Sequence, residues 1–164
     1  MPATLTLHAT AIAIGAHAVL LRGPSGSGKS DLALRLLSDP PQRISAARMA
    51  EPVSMIGDDQ VIVERQGDLV LVQGHLNLAG QLEVRGVGIV DWSHASASGT
   101  WPVALLCDLV PAQMIARMPD AETEDVLGLA IPRVRLDPAT PAAPVKLHLL
   151  LDRFGLKFDR KAPA

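Results

Sequence analysis

The chain has 164 residues, 48% of them apolar and 20% charged, with a formal net charge of −2. That length suits a single compact domain with a substantial core, and the balance of charge carries no basic footprint for nucleic acid. With two Phe, two Trp and no Tyr, the chain also lacks the aromatic platforms on which single strands stack. One cysteine, Cys107, excludes an intrachain disulfide and suits a reducing compartment. There is no basic stretch followed by an apolar leader, and no apolar run near the roughly 20 residues of a membrane span. The expectation is a cytoplasmic protein with no membrane partner, folded as one domain over residues 1–164.

In chain order, Leu5–His8 and Ala11–Ile14 read as short strands, and Gly15-Ala16-His17 as a turn. Ala18–Arg22 is an apolar run suited to a buried strand, and a glycine-rich loop, Gly23 to Ser30, follows it directly. Leu32, Ala33, Leu36 and Leu37 then recur at helical spacing, with Asp31 in the first turn and Pro40-Pro41 beyond the end. Residues 42–52 have weak patterning and read as a short helix or mobile connection, with Arg43 and Arg48 solvated. Val53–Ile56 is a strand ending in Gly57-Asp58-Asp59, and Val61–Glu64 with Leu69–Val72 form a hairpin around Gly67-Asp68. Leu82–Val90 reads as a strand running into a glycine-punctuated bend. Val103–Cys107 is a buried strand in which Cys107 acts as a small hydrophobe, and Val134–Leu136 is a further strand. Asp137–Pro144 is a proline-rich loop, and Val145–Leu151 is either a strand or the start of a terminal helix. The fold class is α/β, with high strand content for a glycine-loop nucleotide binder.

Gly23-Pro24-Ser25-Gly26-Ser27-Gly28-Lys29-Ser30 fits the phosphate-loop pattern, in the strand–loop–helix context that pattern requires. Glycines let successive backbone N–H groups converge on phosphate oxygens, and the helix that follows offers unsatisfied N–H groups and its positive dipole end. Lys29 suits the β- and γ-phosphates, and the Ser30 hydroxyl suits Mg²⁺. ATP with Mg²⁺ is the expected ligand. Three acidic positions follow apolar strands and compete for the remaining chemistry: the pair Asp58-Asp59, Glu83, and Asp108. On pattern alone Asp108, at the end of Val103–Cys107, is placed like the metal-binding aspartate of common nucleotide hydrolases. His17, His75, His94 and His148 have no metal-ligand spacing.

Glu83-Val84-Arg85-Gly86-Val87-Gly88-Ile89-Val90 resembles the E-[IV]-R-G-[LV]-G-[IL]-[IV] signature of bacterial HPr kinase/phosphorylase, in its C-terminal catalytic domain. His8 lies fifteen residues before Gly23, the spacing of that family's catalytic histidine. Gly57-Asp58-Asp59 matches the family's acidic pair, and Arg117, ahead of Met118-Pro119, is the best match to a catalytic arginine; the other reading of Arg117 is an exposed helix residue. The resemblance implies transfer of the ATP γ-phosphoryl group to a serine of an HPr-type phosphocarrier protein. It makes Asp59 the base with Asp58 and His8 in support, Ser30 and Glu83 the Mg²⁺ ligands, and Lys29, Arg117 and Arg85 the groups that stabilise the transferring charge. Gly86 and Gly88 supply the bend of the signature.

The chain resembles a short, catalytic-domain-only form, without the N-terminal domain of longer members, and the resemblance extends to a ring-like hexamer. It departs from the family after Leu136. Phosphorylase members carry a proline-valine-arginine-proline-glycine-arginine-asparagine stretch there, whereas this chain reads Leu136-Asp137-Pro138-Ala139-Thr140-Pro141-Ala142-Ala143-Pro144. The kinase residues are therefore present, and those of the reverse phosphorolysis are not. A small-molecule kinase, or a nucleotide-sensing module that docks a carrier without chemistry, are the alternatives.

Overall fold

The computed structural model describes residues 3–40, 42–75, 80–93 and 97–158. Strands β1 (Thr4–His8), β2 (Thr10–Ile14) and β3 (His17–Arg22) lead into helix α1 (Lys29–Ser38). Next come β4 (Arg43–Ser45), β5 (Arg48–Met49), β6 (Val53–Gly57), β7 (Gln60–Gln66) and β8 (Leu69–Gly74). After these follow β9 (Gln81–Val84), β10 (Gly88–Asp91), β11 (Trp101–Leu109), β12 (Glu122–Val126), β13 (Leu129–Leu136) and helix α2 (Ala143–Phe154).

The long strand β11 organises the main sheet. Its first residues pair with β8 antiparallel, while its second half lies between β3 and β13, parallel to both. The sheet order is β1-β7-β8-β11-β3-β2-β6, with β13 on β11 and β12 on β13. The carboxyl ends of β3, β11 and β13 therefore point the same way, the end at which α/β sheets bind ligands.

The central strands are near-continuous apolar runs because both of their faces are covered. Val19 and Leu21 of β3 face α1 and α2, packing with Leu32, Leu36, Leu147 and Leu151. Ala18 and Leu20 face the other way, against Val61, Val63, Val70 and Val72 of β7 and β8. In β11 the register against β3 shifts between Val103 and Leu105, and the extra residue places both Ala104 and Leu105 on the helix-facing side.

Several segments differ from the sequence reading. Residues 43–49 form the small hairpin β4–β5, not a helix: Ile44 is buried, the Ala47 N–H donates to Ser45 Oγ at the turn, and Arg48 pairs with Asp152 of α2. Pro41 lies outside the described residues. Leu82–Val90 folds back as the hairpin β9–β10, because Gly86 at φ 83° closes a turn in which the Val87 N–H donates to Val84 O at 3.0 Å. Helix α2 begins inside the expected proline loop, with Pro144 in the first turn, where its missing N–H costs nothing. Strand β12 has no apolar alternation. It exists because Leu127 and Gly128, both at positive φ, form a two-residue turn that pairs it with β13.

Candidate active site

The phosphate loop is packed from behind. An added Cβ at Gly23 would stand 2.4 Å from Ser27 Oγ, and one at Gly28 would stand 3.2 Å from Pro138. Gly28 caps α1 at φ 98°, a left-handed conformation that only glycine adopts without strain. The Lys29 ammonium donates to the carbonyls of Gly23 (2.6 Å) and Pro24 (3.0 Å), so the loop curls around its own lysine. Ser27 Oγ is buried with no hydrogen-bond partner among the described residues. An added Cβ at Gly26 meets nothing within 4 Å, which leaves the face of the loop open to phosphate oxygens.

Asp58, at the end of β6 and only 9% exposed, is the hub of the site. Its Oδ1 accepts from the fully buried Thr10 hydroxyl at 2.7 Å and from the Asp59 N–H at 3.0 Å. The Ser30 hydroxyl lies 3.0 and 3.1 Å from its two oxygens, and Oδ2 also accepts from the Glu83 N–H at 3.1 Å. One carboxylate thus ties together β2, α1, β6 and β9.

Asp59 turns the other way. Its φ of 66° is left-handed, a conformation aspartate tolerates better than most residues, and it carries the side chain out toward solvent. There Asp59 Oδ1 lies 3.2 Å from His8 Nδ1, with the side chains 65% and 55% exposed respectively. The backbone holds this turn through Ala9 N–H to Asp59 O (3.2 Å) and Gln60 N–H to Asp58 O (2.7 Å). Adjacent carboxylates therefore have different environments, one saturated and buried, one open with a histidine beside it.

These groups line one cleft of about 630 Å³. Ser25, Gly26, Gly28, Lys29 and Ser30 form its floor, His8, Asp58 and Asp59 one wall, and Glu83, Arg85, Gly86 and Gly88 of the β9–β10 hairpin another. Gly23, Pro24 and Ser27 complete the loop. Arg117 does not line the cleft: it is exposed, in a bent segment that follows the 3-10 turn Ala112–Met114 and not in a helix. Glu83 and Arg85 make no ion pair with each other, and both face the cleft. Asp31 lines the cleft as well, a position the sequence signals only as a helix-start acid, and it pairs with Arg35 at 3.6 Å. Thr10 gave no signal, since an isolated threonine in an apolar strand reads as packing.

Asp108 takes no part in the cleft. It accepts from Arg22 Nε at 2.8 Å and from Arg133 Nε at 2.6 Å, and Glu124 of β12 joins both arginines. Burial opposes the charge of Arg22, but the bonds to Glu124 and Asp108 outweigh it and hold the guanidinium charged more firmly than usual. Its carboxylate is thus used in cross-linking β3, β11, β12 and β13. Cys107 is fully buried, and burial first, then Asp108, pushes its thiol far above the ordinary value. His148 is buried in α2, and His17 accepts a hydrogen bond from the Phe158 N–H at 3.2 Å. His94 lies outside the described residues.

Among the described residues no group of three or more His, Cys, Asp and Glu side chains is arranged to hold a metal by itself. Mg²⁺ does not need one: it keeps several waters and binds through one or two carboxylates together with substrate phosphates. The hydroxyl of Ser30, the carboxylate of Asp58 touching it and Glu83 beside them fit that donor chemistry. No helix of the described residues is long and apolar enough to cross a membrane.

Comparison with known proteins bears on the family and the fold. The family model described as the HPr serine kinase C-terminal domain matches residues 1–142. An HPr kinase/phosphorylase of Bordetella pertussis is 32% identical over 146 residues, a match that takes in 83% of this chain and 43% of that protein. One from Burkholderia lata is 34% identical over 142 residues, 82% of this chain and 40% of the other. The chain thus spans less than half the length of these curated relatives. Among solved structures, the Hpr(Ser) kinase/phosphatase from Coxiella burnetii superposes with a TM-score of 0.69 over 90% of this chain and 94% of that one, at 22% identity, a likeness of fold.

Proposed function

The chain belongs to the HPr serine kinase C-terminal domain family, and from that premise we propose that it is an ATP-dependent protein serine kinase acting on an HPr-type phosphocarrier. The observation that carries the reading is the split carboxylate pair, with Asp58 bonded to Ser30 beneath the phosphate loop and Asp59 exposed beside His8. Phosphate binding alone needs no exposed proton acceptor. Transfer to an alcohol does.

Asp59 takes the proton of the acceptor serine as its oxygen bonds to the γ-phosphorus and the bond from that phosphorus to the bridging oxygen breaks. His8, through Nδ1, orients the Asp59 carboxylate. Lys29 in the floor of the cleft and Arg85 on its wall carry the charge that stabilises the transferring group and the departing diphosphate. Ser30, Asp58 and Glu83 would hold Mg²⁺, which neutralises phosphate charge that otherwise repels the nucleophile. Asp58 keeps Ser30 and the signature hairpin in register through its bonds to the Ser30 hydroxyl and the Glu83 N–H.

The open mouth of the cleft, with Asp59 and His8 each more than half exposed, favours a protein acceptor over a small molecule sealed in a pocket. The forward direction is the one these residues serve. The segment after β13 packs Pro138 on Gly28, and Arg35 of α1 donates to the carbonyls of Pro138 and Thr140, so this stretch braces the phosphate loop and supplies no arginine to it. Incubation with γ-labelled ATP, Mg²⁺ and a purified HPr-type carrier tests the proposal. Labelled phosphoserine is expected, and it persists when inorganic phosphate is added. ATP binding without transfer to any HPr-type carrier would instead favour a nucleotide-sensing module.

A further inference from the structure

The β9–β10 hairpin forms a two-stranded sheet of its own. Its inner face is anchored, since Leu82 is fully buried and its cross-strand neighbour Val90 is half-buried. Its outer face is not. Ile89 lies directly opposite Glu83 in the antiparallel register, so the two side chains share a face, and Glu83 lines the cleft. Ile89 is 71% exposed there, and Val87, at the turn between Gly86 and Gly88, is 76% exposed. Two branched apolar side chains thus stand uncovered on the rim of the same cleft whose polar residues perform the chemistry.

We propose that Val87 and Ile89 form the apolar docking knuckle for the acceptor protein, which seats an apolar side chain adjoining its target serine on them. The inference rests on the kinase reading given above and deepens it. A serine that reaches Asp59 brings its flanking residues over the face that Ile89 shares with Glu83, so an acceptor in the cleft covers the knuckle. A nucleotide does not require it, because the phosphates are held by the loop and helix α1. The charge at the mouth narrows the partner further. Asp31, Asp58, Asp59 and Glu83 line the cleft against Lys29 and Arg85, and bound phosphates add negative charge, so a basic residue beside the acceptor serine is complementary. The partner is a protein segment carrying a serine flanked by an apolar and a basic side chain. Burial of apolar anchors supplies most of the affinity at protein interfaces, and charge supplies specificity and register.

The test is steady-state phosphorylation of a purified HPr-type carrier by the full chain and by the double variant Val87→Asp/Ile89→Asp, with ATP affinity measured in parallel. The expected result is a KM for the carrier raised about tenfold or more, with kcat at saturating carrier and ATP affinity both within about twofold. If the aspartate variant loses ATP binding through misfolding, Val87→Ser/Ile89→Ser is used instead and must show the same selective rise in KM. An unchanged carrier KM beside active wild-type transfer overturns the docking knuckle alone. A change in oligomeric state without a change in carrier KM also overturns it, and assigns the patch to a second copy of the chain. Absence of any transfer by the wild-type chain removes the kinase reading and this inference together.

Discussion

Replacing Asp58 by Asn leaves the shape of the hub intact and changes only what it can accept. The carboxylate receives the Thr10 hydroxyl and the Asp59 N–H on one oxygen, the Glu83 N–H on the other, and the Ser30 hydroxyl across both. An amide keeps a single acceptor oxygen. If that oxygen takes the side of Thr10 and Asp59, the new NH₂ group faces the Glu83 N–H, donor against donor. Hydrogen bonds to a charged acceptor contribute about 1.5–3 kcal/mol each, and an orphaned buried donor costs about 1–3 kcal/mol. Losing the charge weakens every bond to the hub and loses one outright, so the variant is expected to be destabilised by about 2–4 kcal/mol. For a chain of this size that lowers the melting temperature by roughly 5–15 °C. Urea unfolding with matched slopes measures it, and a cycle with Thr10→Val should show coupling, because the two residues share a bond. A loss below about 0.5 kcal/mol would refute the view of Asp58 as a saturated hub, since Asn would then satisfy the site as well as Asp does.

Gly28→Ala should weaken ATP binding about tenfold or more, because its Cβ meets Pro138 at 3.2 Å at a φ of 98°; isothermal titration checks this, and unaltered affinity would contradict the packed loop. Stability should fall on acidification through two histidines, His148, which is buried, and His17, which is partly buried. Burial and then Arg48 hold His148 below the ordinary value of 6.5, while burial and then Lys157 do so for His17 against the opposing charge of Glu51. The unfolded chain takes up these protons first, so stability is full above about pH 6.5 and declines as pH falls toward the depressed folded values. His148→Gln should flatten that decline in urea midpoints measured between pH 7.5 and 5.5, and an unaltered slope would exclude His148 as a source. Asp108→Asn should reduce stability, because Arg22 and Arg133 lose a shared charged acceptor. It should leave the Mg²⁺ dependence of ATP binding unchanged, whereas a large shift in that dependence would return Asp108 to the metal site.

The phosphate loop and α1 were legible because their pattern is local: glycines, a lysine and a helical repeat lie within sixteen residues, Gly23 to Ser38. The closeness of His8 to Asp59 and of Glu83 to the loop depends on strand pairing across tens of residues. No periodicity encodes it, and only the family resemblance suggested it. Asp108 shows the limit of pattern from the other side, because an apolar strand ending in aspartate looks alike whether that carboxylate meets a metal or a guanidinium. Its partner Glu124 sits in β12, a polar strand at the edge of the sheet, which alternation could not reveal. The β4–β5 hairpin escaped for a similar reason, since it is held by the contact of Arg48 with Asp152 of a helix about a hundred residues later.

The central claim is that Asp59 takes the proton of a protein serine while the loop holds the donor. Its most direct test compares transfer from γ-labelled ATP to an HPr-type carrier by the wild-type chain and by Asp59→Asn at saturating ATP. The variant is expected to bind ATP within about twofold of wild type and to transfer about 10²–10⁴ times more slowly. Phosphoserine formed by Asp59→Asn at the wild-type rate would contradict it.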